Sequence, residues 1–198
     1  MATTTATPRT ITRRDLAAKV TTDEMAELDL GIHEGLHCIT TALMGGRVRS
    51  AVVTRPSKAT GHSHGLTKFD TGLSRDRNSA IGFAGPWSDA RWLTGERPSM
   101  RALAITLKHA SEEDTALIAA GGGHHAVDPG VRDLLERCWP AAMVLAGQLF
   151  KNGEVRHEHV LAALGLNEGN AAHGLAVIKS GSAPGTFVLG GSTPLMRF

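Results

Sequence analysis

Two histidines, His33 and His37, stand four residues apart with Glu34 directly after the first, in the stretch LGIHEGLHCITTALMGG from residue 30 to residue 46. At 3.6 residues per turn, positions four apart on an α-helix share one face, so both imidazoles can reach a single ion. Neutral imidazole suits zinc, and zinc with an open coordination position lowers the pKa of a bound water toward ~7. Glu34 can take the proton of that water as it attacks a carbonyl, and later deliver it to the leaving amine. The HExxH spacing thus predicts two Zn2+ ligands, His33 and His37, and a catalytic base, Glu34. Gly35 and Leu36 between them include no proline, and the histidines flank an apolar stripe where an unpaired imidazole would be costly.

Zinc needs a third protein ligand. The metzincin extension would place glycine and histidine three and six residues beyond His37, where this chain has Thr40 and Leu43, so that subclass is excluded. No acid occurs from Cys38 to Phe69. Spacing leaves Asp70, Asp76, Asp89, Glu96 and the cluster Glu112, Glu113 and Asp114 as candidates. The three clustered acids also suit the first turn of a helix capped by Ser111, where they complement its dipole.

The elements around these residues can be read from periodicity and punctuation. Thr21 and Glu24 have the form of a capping box, and apolar residues then recur at Met25, Leu28, Ile32, Leu36, Ile39 and Leu43. This predicts an amphipathic helix that ends at Gly45-Gly46 and carries HEGLH in its middle. The β-branched run VRSAVVTR at 48–55 and the short run GLTKF at 65–69 predict a hairpin. Residues 75–95 read as helical with Gly85-Pro86 interrupting, so two helices or one kinked helix fit. Further helices are predicted over 100–108, after Ser111 to Gly121, from Asp128-Pro129 to Phe150, and about 156–164. Trp87, Trp92 and Trp139 read as core, and His157-Glu158-His159 as surface, because residues two apart on a helix diverge.

These segments resemble a known family. IHEGLHCITTALMGGRVRSAVVTRP is similar to the region around the zinc-binding helix of the FtsH-type metallopeptidases. IGFAGPWSDARWLTG looks like that family's glycine-centred helix, and HASEEDTALIAAG like the helix whose aspartate completes its zinc site. The resemblance covers roughly residues 33–120, in order and spacing more than in identity. It implies a zincin-like fold, His33, His37 and Asp114 as zinc ligands, Glu34 as base, and a peptide pairing with the edge of the hairpin. No Gly-x-x-x-x-Gly-Lys-Ser/Thr occurs, so the resemblance is to an ATPase-less relative.

The expectation is therefore a mainly α, helical zincin-like metallopeptidase domain with one small β-hairpin after the HExxH helix. It spans residues 21–165, between a flexible N-terminal tail (1–20) and a largely flexible Gly/Ser/Pro-rich C-terminal segment (166–198). With 198 residues, 41% hydrophobic and 20% charged, the chain can bury one sizeable core. A net charge of +2 without a basic run argues against nucleic acid, and no apolar stretch reaches the ~20 residues of a membrane span. Two cysteines, Cys38 and Cys138, signal neither a disulfide framework nor a thiolate zinc site, which fits a reducing cytoplasm. The predicted partner is a protein or peptide substrate. The alternative is a catalytically silent binding protein of the same fold with structural zinc. Hydrolysis also calls for an oxyanion donor, and in a chain without tyrosine the loop histidines His62, His64, His109, His124 and His125 are the candidates.

Overall fold

A computed structural model describes residues 11–55, 61, 63–70 and 72–187. In chain order it contains α1 (Arg13–Leu16), α2 (Thr22–Leu43), β1 (Val48–Thr54), β2 (His64–Phe69), α3 (Arg75–Thr94), α4 (Met100–Lys108), α5 (Glu112–Ala120), α6 (Pro129–Asn152), β3 (Glu154–Val155), α7 (His157–Ala163) and α8 (Ala171–Lys179). The architecture is mainly helical with a small sheet, and among the described residues no helix is long and apolar enough to cross a membrane.

Helix α2 is the axis of the molecule. Its capping box forms as predicted: the Thr21 amide donates to Glu24 Oε2 at 2.7 Å, and the Glu24 amide donates to Thr21 Oγ1 at 3.2 Å. It ends where Gly45 turns left-handed at φ 84°, a conformation that favours glycine. Its second half is buried almost all round, with α6 on one side, α3 on another and the sheet across a third. A helix apolar on one stripe alone could not sit there; Leu36, Cys38, Ile39, Ala42 and Leu43 together surround it.

The β-branched run pairs as an antiparallel hairpin, from Thr54 opposite His64 to Val48 opposite Phe69. The hairpin is not the whole sheet. β3 adds on the other side of β1, with Ala51 opposite Val155, giving the order β2-β1-β3. Two residues are too few for any periodicity to reveal. β1 is therefore the central strand, and among the described residues the free edge of the hairpin belongs to β2.

Helix α3 runs unbroken through Gly85-Pro86, which resolves the predicted interruption in favour of one helix. The missing amide of Pro86 is tolerated because neighbours hold the segment from all sides: Ser79 to Ala90 is buried except for the half-buried Asp89. Trp87, Trp92 and Trp139 are core, as expected.

Two elements lie where no helix was expected. α1 has its own capping box between Thr12 and Asp15, and Arg13 pairs with Asp29 of α2 at 3.0 Å. α8 buries Ile178 against the main core. His157 is also not a surface residue: it is buried, and its Nδ1 accepts the Val48 amide at 3.4 Å. Helix periodicity carries no sign of this contact, because β1 lies more than a hundred residues away along the chain.

Candidate metal centre

On α2, Gly31 and Gly35 point to one side and His33 and His37 to the opposite side, since a two-residue step turns about 200°. The glycines let α6 approach: a Cβ on either would lie 3.2 Å from a backbone oxygen, of Ala146 and Ala142 respectively. The histidines face α3 and α5. Gly35 in HEGLH is thus a packing residue, and the imidazoles are free of that contact.

The two Nε2 atoms converge to 3.0 Å. Asp114 of α5 closes the group, with Oδ2 3.2 Å from His33 Nε2 and Oδ1 3.1 Å from His37 Nε2. Asp114 reaches in because Ser111 caps α5, accepting the Asp114 amide at 3.0 Å, and because Gly82 of α3 lets the two helices touch. A Cβ on Gly82 would lie 2.7 Å from Leu117 Cβ and 2.9 Å from the Asp114 carbonyl. His33, His37 and Asp114 form a group that could hold a metal ion.

Three observations bear on the fit. Donors around a tetrahedral zinc at 2.0–2.1 Å stand about 3.3 Å from one another; here the two Nε2 atoms are 3.0 Å apart, each has a different Asp114 oxygen at 3.1 or 3.2 Å, and one ligand atom from each of the three residues can be chosen with all three within 4.8 Å. Asp114 Oδ2 is buried with the His33 imidazole at 3.2 Å but out of hydrogen-bond alignment, a costly position for a carboxylate oxygen. Gly85 of α3 faces the group, and a Cβ there would lie 2.5 Å from His33 Nε2 and from His37 Nε2. Only glycine leaves that space open.

The outer nitrogens are also held. His37 Nδ1 lies 2.8 Å from the Ile81 carbonyl, and His33 Nδ1 lies 3.1 Å from each oxygen of Asp89. Without a metal, burial opposes charge on His33, but Asp89, Asp114 and Glu34 overcome it and hold its pKa well above the ordinary value. Burial likewise opposes ionisation of Asp114, and the adjoining imidazoles of His33 and His37 prevail, holding its carboxyl below the usual range. The Cys38 thiol, beside His37 in sequence, is pushed up by burial to about 12 and offers no thiolate.

Glu34 is buried, and its Oε2 accepts the Thr67 hydroxyl of β2 at 2.6 Å. Two residues back on the same strand face, Gly65 leaves room at the other oxygen: a Cβ there would sit 2.6 Å from Glu34 Oε1. Glu34 and the metal group open on one cleft of about 650 Å3, walled by β2, α2, α3, α4 and the start of α5.

Of the acids left open by spacing, Asp114 is the one against both imidazoles, while Glu112 and Glu113 are exposed on α5. Asp89 faces the far side of His33, Asp70 pairs with Arg49 at 2.7 Å, and Asp76 and Glu96 are exposed. His64 and His109 line the cleft; the rings of His124 and His125 lie tilted against each other outside it, centroids 3.8 Å apart, and His62 lies outside the described residues. Reading by sequence missed Asp89 and Ile81 as partners of the histidines, and Thr67 and Gly65 around Glu34. A glycine in the middle of a buried helix was the one available signal, for Gly85.

No family model matches this chain, and neither do the curated proteins or the solved structures compared with it.

Proposed function

We propose that this protein is a zinc-dependent metallopeptidase, an HExxH enzyme related to the FtsH-type peptidases, that hydrolyses peptide bonds with Glu34 as base. The observation that carries this reading is the convergence of His33, His37 and Asp114 beside a buried carboxylate, Glu34, on a single open cleft. A zinc ion held by those three residues would supply Lewis acidity and make water acidic enough to lose a proton near neutral pH. Glu34 receives that proton: Thr67 occupies Oε2, so Oε1, beside Gly65, is the oxygen left to take it and to return it to the leaving amine.

The substrate wall is β2. Its outer edge carries no strand among the described residues, so an extended peptide can pair with it and present alternate side chains to the cleft. Pairing with β1 is not available, because β2 and β3 flank it. Leu66, Leu93 and Ile105 are exposed large apolar side chains from three elements, and all three line this cleft, which favours apolar residues in the bound segment.

The test is Glu34→Gln, assayed on an unfolded, fluorescently quenched protein substrate with zinc content measured in parallel. The variant should keep its zinc and lose hydrolysis by about 10²-fold or more, the scale of general base catalysis. Equal rates in variant and parent would remove Glu34 as base, and a zinc-replete parent that does not hydrolyse would favour the structural-zinc alternative.

A further inference from the structure

The two histidines look equivalent in the motif, yet the structure anchors them by unlike groups. His37 Nδ1 faces a backbone carbonyl, Ile81 O, at 2.8 Å, and His33 Nδ1 faces a side chain, Asp89, with both carboxylate oxygens at 3.1 Å. Ile81, Gly85 and Asp89 are four residues apart and form one stripe of α3. That stripe lies against His37 and His33 in reverse order, so the helices run antiparallel and their one-turn spacings match.

We propose that Asp89 is the positioning residue of His33: it accepts the Nδ1 proton and thereby fixes Nε2 as the nitrogen turned toward His37, Asp114 and the ion. This rests on the metal-site reading above. An imidazole has two nitrogens, and which one is free to ligate is set by the hydrogen bond the other makes. For His37 the helix backbone of α3 performs that task and no side chain can alter it. For His33, about one turn earlier on α2 and less buried, the side chain of Asp89 is the group within reach.

The arrangement differs from an ordinary ion pair. Among the described residues Asp89 has no Lys or Arg partner, and the neighbouring Arg91 is engaged with Glu136 at 3.1 Å. Asp89 is half-exposed, so pairing it contributes little to folding. What it does control is the rotation of the His33 ring about its side-chain bonds, because a carboxylate that straddles Nδ1 holds the ring plane from outside while Gly85 leaves the inner side clear. The spacing alone made Asp89 a candidate ligand. Its position makes it the support of one.

Zinc affinity measured by competition with a chromophoric chelator tests this on the intact chain, using the parent, Asp89→Ala, Asp89→Asn and the surface control Asp70→Ala. Asp89→Ala should bind zinc about 10- to 100-fold more weakly, the usual cost of losing such a partner. Asp89→Asn, whose amide oxygen can still accept the Nδ1 proton, should lose less, and Asp70→Ala should match the parent. Nitrogen NMR of His33 in the zinc-loaded parent should show the proton on Nδ1, and melting of the metal-free Asp89 variants should stay near the parent's. Should the alanine variant not fold, the near-isosteric Asn variant carries the affinity test by itself. Parental affinity in the Asp89 variants, or a loss that Asp70→Ala shares, overturns the inference while leaving the metal site standing. A parent that binds no zinc overturns both.

Discussion

The two long faces of α2 use the same residue type for opposite purposes. Toward α6, Gly31 and Gly35 are absent side chains that bring two helices together, with backbone oxygens 3.2 Å from where each Cβ would stand. Toward α3, the absent side chain is on the partner helix: Gly85 faces His33 and His37, and the atoms nearest to where its Cβ would stand are the imidazole tips. On the first face small size is used to close a gap between helices; on the second it keeps a space open. The first face is lined by Ala142, Leu145 and Ala146, whereas the second gathers two imidazoles and a carboxylate. One helix thus holds a core contact and a site back to back, and the rigidity of the first supports the geometry of the second.

Substituting one glycine on each face is the strongest way to break this comparison. Gly85→Ala should abolish zinc binding, because its Cβ would lie 2.5 Å from both Nε2 atoms and the imidazole tips, being the ends of side chains, would turn away. The same change should leave the metal-free protein folded, the helix preference of alanine over glycine, up to about 1 kcal/mol, offsetting part of what is lost when the turned rings leave Ile81, Asp89 and Asp114. Zinc titration and a melting curve with chelator present would check this; retained zinc in Gly85→Ala would mean that the open space has no bearing on the metal.

Gly35→Ala should do the reverse, with a smaller effect. Here the Cβ meets the Ala142 carbonyl and Leu145 Cβ, and the helices must part by a few tenths of an ångström. The expected cost is about 1–2 kcal/mol in a urea unfolding series, overpacking offset in part by helix preference, with zinc affinity retained in the folded fraction. If Gly35→Ala lost zinc as fully as Gly85→Ala, the two faces would not be separable.

The smallest effect sharpens the contrast at the level of single histidines. Acids around His33 stabilise its charged form, whereas burial first and Arg47 second lower the pKa of His157. The folded chain therefore keeps His157 neutral, while the unfolded chain protonates it near the ordinary value of about 6.5. Its share of stability is complete above that pH and declines as pH falls from there toward the lower folded value. Protonation would also remove the acceptor that the Val48 amide uses. Urea midpoints at pH 7.5 and 5.5 should differ more in the parent than in His157→Gln; an identical pH response in both would show that His157 does not contribute.

By itself the sequence determined whatever depends on neighbours along the chain. The capping residues Thr21, Ser111 and Asp128, the helix spans they start, and the shared face of His33 and His37 all follow from spacing and side-chain type, because helix geometry relates residues within one turn. The tertiary structure alone decided what comes from far along the chain. It brought Asp114 against both imidazoles in preference to six other acids, set Asp89 behind His33, laid Thr67 on Glu34, and joined β3 to β1. Those pairings leave no periodic trace: the ones at the metal group depend on how closely α2, α3 and α5 approach, and that approach runs through Gly82 and Gly85 of α3, whose meaning appears only when a second element lies beside them.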